Sequence, residues 1–151
     1  MTGIRTIGEQ DISAVRSLIM QLASDLGEVF DVDQVHYLLQ YQAMQQHPDI
    51  YHNSVYCIDD EVVGFISLVL YRSFFHKRGT ALVNELVVSR EYRNLKIGSA
   101  LIEHAMQVAQ ELGFDEIEVG VMKENKGALA FYRHSGFDEE YLLLGREFTT
   151  R

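Results

Sequence analysis

A single cysteine, Cys57, among 151 residues leaves no partner for an intrachain disulfide and too few thiols for a cysteine-based zinc site. The cytoplasm is the default compartment on that count. Cations are scarce too: 13 Lys and Arg stand against 22 Asp and Glu, a formal charge of -9. That balance argues against nonspecific nucleic-acid binding or attachment to an anionic membrane, since both need a surplus of cations facing phosphate. The longest mostly apolar run, Val62 to Tyr71, is too short to span a bilayer, and Met1 to Gln10 lacks the basic-then-apolar order of a signal sequence. Proline occurs once, at Pro48, and no Pro/Gly/Ser linker, low-complexity tract or repeat divides the chain. A single domain over residues 1–151 is expected, and its 47% hydrophobic residues can build a sizeable core.

What is present reads as mixed α/β. After a short strand near Ile4 to Ile7, apolar residues Ile12, Val15, Leu18, Ile19, Leu22 and Leu26 recur at helical spacing, with Asp11 as N-cap and Gly27 as stop. A second helix is expected to carry Val32, Val35, Leu38 and Leu39 inward, with Asp31 placed to cap it. The pattern then changes to strands: Tyr51 to Ile58, an Asp59-Asp60 turn, and Val62 to Tyr71, whose near-continuous apolar run predicts a central strand covered on both faces. A loop, Ser73 to Gly79, leads to a strand over Ala81 to Ser89. Helical spacing resumes at Ile97, Leu101, Ala105, Val108 and Leu112, and alternation at Ile117, Val119 and Val121. A last helix over about Asn125 to His134 and a terminal strand around Tyr141 to Phe148 complete the expected order.

The most informative stretch runs from strand through polar loop to helix: Glu85-Leu86-Val87-Val88, then Arg93-Asn94-Leu95-Lys96-Ile97-Gly98-Ser99. Such a loop presents unpaired backbone N–H groups at the positive end of a helix dipole, which suits an anion such as phosphate. Gly98 permits close backbone approach. The ATP-type P-loop needs a Gly-Lys-Ser/Thr ending, and the dinucleotide fingerprint needs three glycines and a later acidic residue. Neither fits. A second stretch, Asn125-Lys126-Gly127-Ala128-Leu129-Ala130-Phe131-Tyr132-Arg133-His134-Ser135-Gly136-Phe137, lies on the last helix.

Together, in this order and in these contexts, the two segments resemble the signatures of the acetyl-CoA-dependent GNAT superfamily of N-acetyltransferases over nearly the whole chain. The resemblance implies a mixed, twisted sheet of about six to seven strands flanked by about four helices, with a β-bulge and splayed strands at the cofactor site. Arg93-x-x-Lys96-x-Gly98-Ser99 would be the pyrophosphate loop, its backbone N–H groups from Arg93 through Asn94, Lys96, Ile97, Gly98 and Ser99 facing acetyl-CoA. Strand residues Leu86, Val87 and Val88 would meet the pantetheine arm, and the N–H of Val88 would polarise the thioester carbonyl. The superfamily usually has glycine where Lys96 stands, so the loop must form with a side chain there; the lysine either points to solvent or adds charge near the pyrophosphate. By similarity Asn125 contacts the pantetheine end, a role compatible with capping the last helix.

Tyr132 is the implied proton donor. A phenol with pKa about 10 can donate to a departing thiolate whose conjugate acid lies near 8.5. The alternative is an aromatic residue filling a helix face beside Phe131. Glu85 interrupts an otherwise apolar strand, where burial of a carboxylate costs free energy unless it is paired. By resemblance it is the base for the acceptor ammonium, which demands a water relay or a raised pKa, because a glutamate near 4.3 is a poor base for an amine near 10. A structural carboxylate is its other reading. Asn84 is expected on the opposite strand face as a core or edge amide.

For the acceptor, the connection after the first helix contains Asp25, Glu28, Asp31 and Asp33, acidic groups that either attract a cationic amine or cap helices. Glu28, Glu85 and the loop histidine His76 are the candidate substrate-binding residues. His36, His47, His52, His104 and His134 show no shared metal-ligand spacing, and no metal is expected. Cys57 falls in a strand and reads as core. The implied activity is acetyl transfer to a primary amine of a small cationic or zwitterionic metabolite, with faint similarity to the aminoalkylphosphonate acetyltransferases. Acetylation of a protein N-terminus or lysine, or a non-catalytic CoA-sensing module, are the alternatives, and a homodimer is in keeping with the superfamily. Arg90, Arg93, Lys96, Lys123, Lys126 and Arg133 flank the implied cofactor path, so the surplus acid must lie mostly elsewhere.

Overall fold

Four helices and a set of β-strands follow from the patterning. The structure is a computed structural model and describes residues 1–28 and 32–149. It divides into two compact units, residues 1–119 and the remainder from Gly120.

In the first unit, β1 (Gly3–Thr6), β2 (Tyr51–Ile58), β3 (Glu61–Tyr71), β4 (Thr80–Val88) and β5 (Glu116–Val119) form one sheet in the order β1-β2-β3-β4-β5. Every pairing is antiparallel except β4 with β5. The β2–β3 hairpin turns at Asp59 and Asp60, both at positive φ (49 and 69), the conformation that matches the right-handed twist of the flanking strands. β3 is central, as its uninterrupted apolar run predicts. Both of its faces are covered.

Helix α1 (Ile12–Asp25) buries Ile12, Val15 and Leu18, which recur every three residues and so line one face. It packs with Tyr37 and Tyr41 of α2 (Gln34–Gln45) on a cluster that includes Val55, Phe65 and Val87. Helix α3 (Ile97–Glu111) covers the other face with Ile97, Leu101, Ile102 and Ala105, all at most 2% exposed. Full burial of each large aliphatic side chain contributes roughly 1.5–3 kcal/mol. Gly64 of β3 lets α3 approach closely: a Cβ there would lie 3.1 Å from Leu101 Cδ1 and 3.2 Å from Ile97 Cγ2. The first residue of α3 is thereby fixed against the sheet.

Helix ends differ in part from expectation. Gly27 (φ +74) and Gly113 (φ +81) close α1 and α3 in the left-handed conformation that glycine adopts without a Cβ clash. Asp11 does not cap α1; its buried carboxylate instead takes Arg5 Nη1 at 2.6 Å and the Gly8 N–H at 2.7 Å. The Arg5 guanidinium holds that carboxyl below the usual range. The cap of α2 is Asp33, which accepts from the His36 N–H at 2.9 Å; Asp31 lies outside the described residues.

In the second unit, α4 (Lys126–His134) starts where the Asn125 side chain accepts from the Ala128 N–H at 3.1 Å and ends ahead of Gly136 (φ +101). The strand expected over Tyr141–Phe148 does not form, and Leu142, Leu143, Leu144 and Phe148 are exposed. Among the described residues the sheet therefore has five strands rather than six to seven. An apolar run has strand propensity only where a neighbour offers a ladder to join, and no ladder forms along this stretch.

Candidate active site

The β3–β4 ladder slips by one residue between Ser67 and Leu68: Ser67 faces Glu85, Leu68 faces Val83, and Asn84 has no opposite number. This is a β-bulge. β5 pairs only with Thr80 to Val83, so beyond the bulge β4 has β3 on one side and no ladder on the other. The bulge and the end of the β4–β5 ladder coincide.

Hydrogen-bond alternation decides which groups that free edge presents. The Ser89 N–H donates to Val63 O at 2.8 Å, so Ser89, Val87 and Glu85 direct their main-chain groups to β3. Leu86 and Val88 then direct theirs outward. The Val88 carbonyl accepts from Gln21 Nε2 at 3.0 Å, and Gln21 Oε1 accepts from the Arg90 N–H at 3.2 Å. The Val88 N–H and both main-chain groups of Leu86 remain at the edge.

The loop that follows is shaped by two residues in the left-handed region, Asn94 (φ 66) and Lys96 (φ 60, ψ 21). Asparagine tolerates it; for lysine it costs about 1–2 kcal/mol. Lys96 is the N-cap residue of α3 without a side-chain capping bond, and its carbonyl accepts the Ala100 N–H at 3.0 Å. Among the described residues, no protein acceptor takes the N–H groups of residues 93–99. The result is a concave run of donors at a helix N-terminus that includes Arg93, Asn94, Lys96, Ile97, Gly98 and Ser99. These donors and the free edge of β4 fit a nucleotide-linked pantetheine thioester.

Asp25, at the end of α1, is committed to this loop. Its carboxylate accepts from Arg90 Nη2 at 2.5 Å and Arg93 Nη2 at 2.8 Å, and the two guanidinium groups, Arg90 foremost, hold its carboxyl below the usual range. That removes Asp25 from the acidic groups open to an amine. Asp33 is likewise committed as a cap, which among the described residues leaves Glu28, exposed just past α1.

Glu85 lies on the face covered by α1 and α2, two residues from Val87 and directly across from Ser67. Burial pushes its carboxyl above the ordinary value against hydrogen bonds from Ser67 and Asn84 that favour the charged form. Asn84 is not a core amide: it is exposed at the bulge, where the β5 ladder has ended, and donates from Nδ2 to Glu85 Oε1 at 3.1 Å. A bulge explains why a polar residue is accommodated there. In the β3–β4 loop, the half-buried His76 has Nε2 3.8 Å from Glu116 Oε1, and Phe74 and Phe75 beside it are exposed.

In the second unit, the Tyr132 ring lies edge-on to Phe131 and Phe137, with centroids 5.1 and 5.7 Å apart. Burial raises its phenol to about 12, so it stays protonated throughout the physiological range. Both earlier readings of Tyr132 thus keep a physical basis, a packed aromatic ring and a protonated donor. Arg133 pairs with Glu140.

A sequence profile of the acetyltransferase (GNAT) family matches residues 16–137. The chain belongs to the GNAT family. An uncharacterized N-acetyltransferase of Methanocaldococcus jannaschii is 35% identical over 89 residues, 58% of this chain and 39% of that protein. An aminoalkylphosphonate N-acetyltransferase of Salmonella typhimurium is 26% identical over 91% of this chain and 86% of its own length. The chain thus spans well under half of the archaeal relative and most of the bacterial one. Among solved structures, a transcriptional regulator from Bacillus halodurans superposes with a TM-score of 0.87 at 21% identity, covering 98% of this chain and 100% of the other. An aminoglycoside acetyltransferase from an uncultured soil sample gives 0.77, also at 21%, over 98% and 95%. At these identities the likeness establishes the GNAT fold alone.

A pocket of about 270 Å³ lies away from this edge, between α3 and strands β2 and β3, lined by His52, Ser54, Ile66, Leu68 and His104 among others. No residue of the GNAT signatures lines it. Sequence reasoning missed Gln21 and the clamp role of Asp25. Their partners stand 65 to 69 residues away in the chain, and no local pattern signals such a contact.

Proposed function

We propose that the protein transfers the acetyl group of acetyl-CoA directly to the primary amine of a small cationic or zwitterionic metabolite. The observation that carries this reading is the free edge of β4 at Leu86 and Val88, continuous with the unpaired N–H groups of residues 93–99. Acetyl-CoA supplies an activated acyl group: the amine nitrogen bonds to the carbonyl carbon, the C–S bond breaks, and thiolate and amide result once nitrogen has lost a proton.

Each residue has a part. The loop from Arg93 to Ser99 holds the pyrophosphate through main-chain donors, so a protein of charge -9 needs no large basic patch to take an anionic ligand. Leu86, Val87 and Val88 align the pantetheine arm, and the Val88 N–H donates to the carbonyl oxygen as charge develops there. Glu85 receives the ammonium proton, with its raised carboxyl pKa narrowing the mismatch with the amine. Tyr132 donates to the leaving thiolate, and Asn125 meets the pantetheine end. Glu28 and His76 belong to acceptor recognition. The similarity to an enzyme named for aminoalkylphosphonates supports an acceptor carrying an amine and an anionic group.

The test is thiol release from acetyl-CoA across an amine panel that includes 2-aminoethylphosphonate, alongside calorimetric titration with acetyl-CoA. Release with one or more free amines is expected. Mass gain on peptides but none on free amines would assign the protein to protein acetylation. Binding without release would leave a CoA-binding module, and no binding would remove the reading altogether.

A further inference from the structure

The pocket beside α3 lies on the face of the sheet opposite Glu85. Across the β2–β3 ladder Ser54 stands opposite Ile66 and His52 opposite Leu68, so these four side chains share one face, while Ser67, the partner of Glu85, belongs to the other. His104 and Val108 close the pocket from α3. Its volume of about 270 Å³ is close to the lower end for small-molecule sites, about 300 Å³.

The charge of the lining is as informative as its shape. Among the described residues no Asp, Glu, Lys or Arg lines the pocket, in a chain with 22 acidic residues, so a negative group placed there meets no carboxylate. Over the floor of Ile66 and Leu68 stand two imidazoles and a hydroxyl, His52, His104 and Ser54. Ser54 is 7% exposed, and its Oγ lies 3.3 Å from His104 Nε2. The protonation state of that ring decides what the hydroxyl proton does. Beside a neutral imidazole the hydroxyl donates to Nε2; beside an imidazolium Nε2–H donates to Oγ, and the hydroxyl proton is released for another acceptor. Charging His104 therefore adds a positive charge and frees a donor at one place.

An imidazolium in such a site is unfavourable unless an anion accompanies it. Burial is the main cause holding the His104 pKa below its ordinary value; His52 adds to this, and Glu111, two turns further along α3, opposes it. Tyr51 and His52 of β2 are the other titratable residues at the pocket, and the ends of α2 and β1 contribute uncharged side chains.

We propose that this pocket binds a small monocarboxylate with an apolar body, its oxygens received by the Ser54 hydroxyl in front of the His104 imidazolium and its body laid on Ile66, Leu68 and Val108. Binding takes up one proton, which goes to His104 when that ring starts neutral. No bond is made or broken in the ligand.

The test is NMR titration of the whole chain with millimolar benzoate, reading the imidazole C–H signal of His104, assigned with His104→Gln. Benzoate should move that signal, and its affinity should fall about tenfold or more between about pH 6 and pH 7.5, because the free ring loses its proton over that range. Benzamide, neutral and of the same shape, should bind at least about tenfold more weakly near pH 6. In His104→Gln benzoate should bind more weakly near pH 6 and lose most of the pH dependence. Equal affinity for benzoate and benzamide, an undiminished pH dependence in His104→Gln, or no binding of benzoate overturns the proposal. Should His104→Gln fail to fold, Ser54→Ala decides: it keeps the imidazole and removes the hydroxyl, so benzoate affinity should drop severalfold, and unchanged affinity overturns the proposal. Neither an amine nor acetyl-CoA enters the experiment, so its outcome is independent of the proposed acetyl transfer.

Discussion

Glu85 and Ser67 face each other across the β3–β4 ladder, one residue beyond the point where Asn84 bulges out. The pairing gives the carboxylate one hydroxyl donor and places it where the strand leaves β5, at the head of the free edge. On the proposed function, that position puts a carboxylate where an amine would meet the thioester.

Replacing that carboxylate separates catalysis from binding. Glu85→Gln should lower kcat/KM by about 10²–10⁴-fold, the range for a general base, with acetyl-CoA affinity unchanged in calorimetry. The same variant has a pH signature in stability. The folded carboxyl has its pKa raised chiefly by burial, so the native state binds this proton more tightly than the unfolded chain. Its stabilising contribution is therefore full below the unfolded value near 4.5 and is lost as pH rises through the higher folded value. Melting curves of Glu85→Gln and wild type should diverge in favour of the variant across that window; parallel curves would mean that Glu85 is solvated.

The clamp between α1 and the anion loop gives a salt-dependent prediction. Asp25 takes two guanidinium groups but remains partly exposed, so its loss should cost no more than about 1 kcal/mol of stability. That contribution is present above the unfolded carboxylate pKa and is lost as pH falls through the depressed folded value. Asp25→Asn also frees two positive charges beside residues 93–99. Acetyl-CoA should bind several-fold tighter at low ionic strength, and the gain should vanish near 1 M salt, where the screening length is about 3 Å. Weaker binding at every salt concentration would show that Asp25 orders the loop more than it opposes the ligand.

Local pattern carried much of this molecule and stopped at identifiable places. α1 and α3 were legible from their buried faces, with Gly27 and Gly113 as stops, and the central strand from the run Val62 to Tyr71. In α2 the expected inward residues Val35 and Leu39 are exposed, and Tyr37 and Tyr41 pack on the core instead. The two signatures located the loop at Lys96 and the cap at Asn125. The single-residue displacement of Asn84 was not legible, because a bulge is a property of two strands in register. Asp25 read as a group that attracts an amine or caps a helix, and Gln21 carried no signal, until the fold brought Arg90 beside both and Arg93 beside Asp25. The tail from Tyr141 to Phe148 failed in the opposite way: its apolar character was plain, yet patterning alone supplied no neighbour for a strand.

Lys96 tests how far a side chain is tolerated at a left-handed position. Lys96→Gly removes a conformational cost of about 1–2 kcal/mol, part of which the greater freedom of glycine in the unfolded chain takes back. A net stabilisation of up to about 1 kcal/mol is expected in urea titration, with acetyl-CoA affinity retained. Lys96→Val, β-branched at φ 60, should instead destabilise and weaken binding. If glycine stabilised the fold but weakened binding tenfold, the lysine ammonium would be a direct contact to the pyrophosphate.

Tyr132 supplies the sharpest separation between packing and chemistry. Its ring is held edge-on by Phe131 and Phe137, contacts that phenylalanine preserves, and Tyr132→Phe removes only the hydroxyl. With the phenol raised to about 12, Tyr132 stays protonated across the accessible pH range and, as the proposed donor, would add no basic limb of its own near neutrality. Turnover should therefore fall by about 10²-fold or more for alkyl-thioester donors, with little change in acetyl-CoA affinity. Because the hydroxyl assists a poor leaving group, the defect should shrink when the donor is an acetyl thioester of an aromatic thiol, whose thiolate needs no proton. An equal loss with both donors would place the role of Tyr132 before C–S cleavage, and unchanged turnover with both would reduce it to packing.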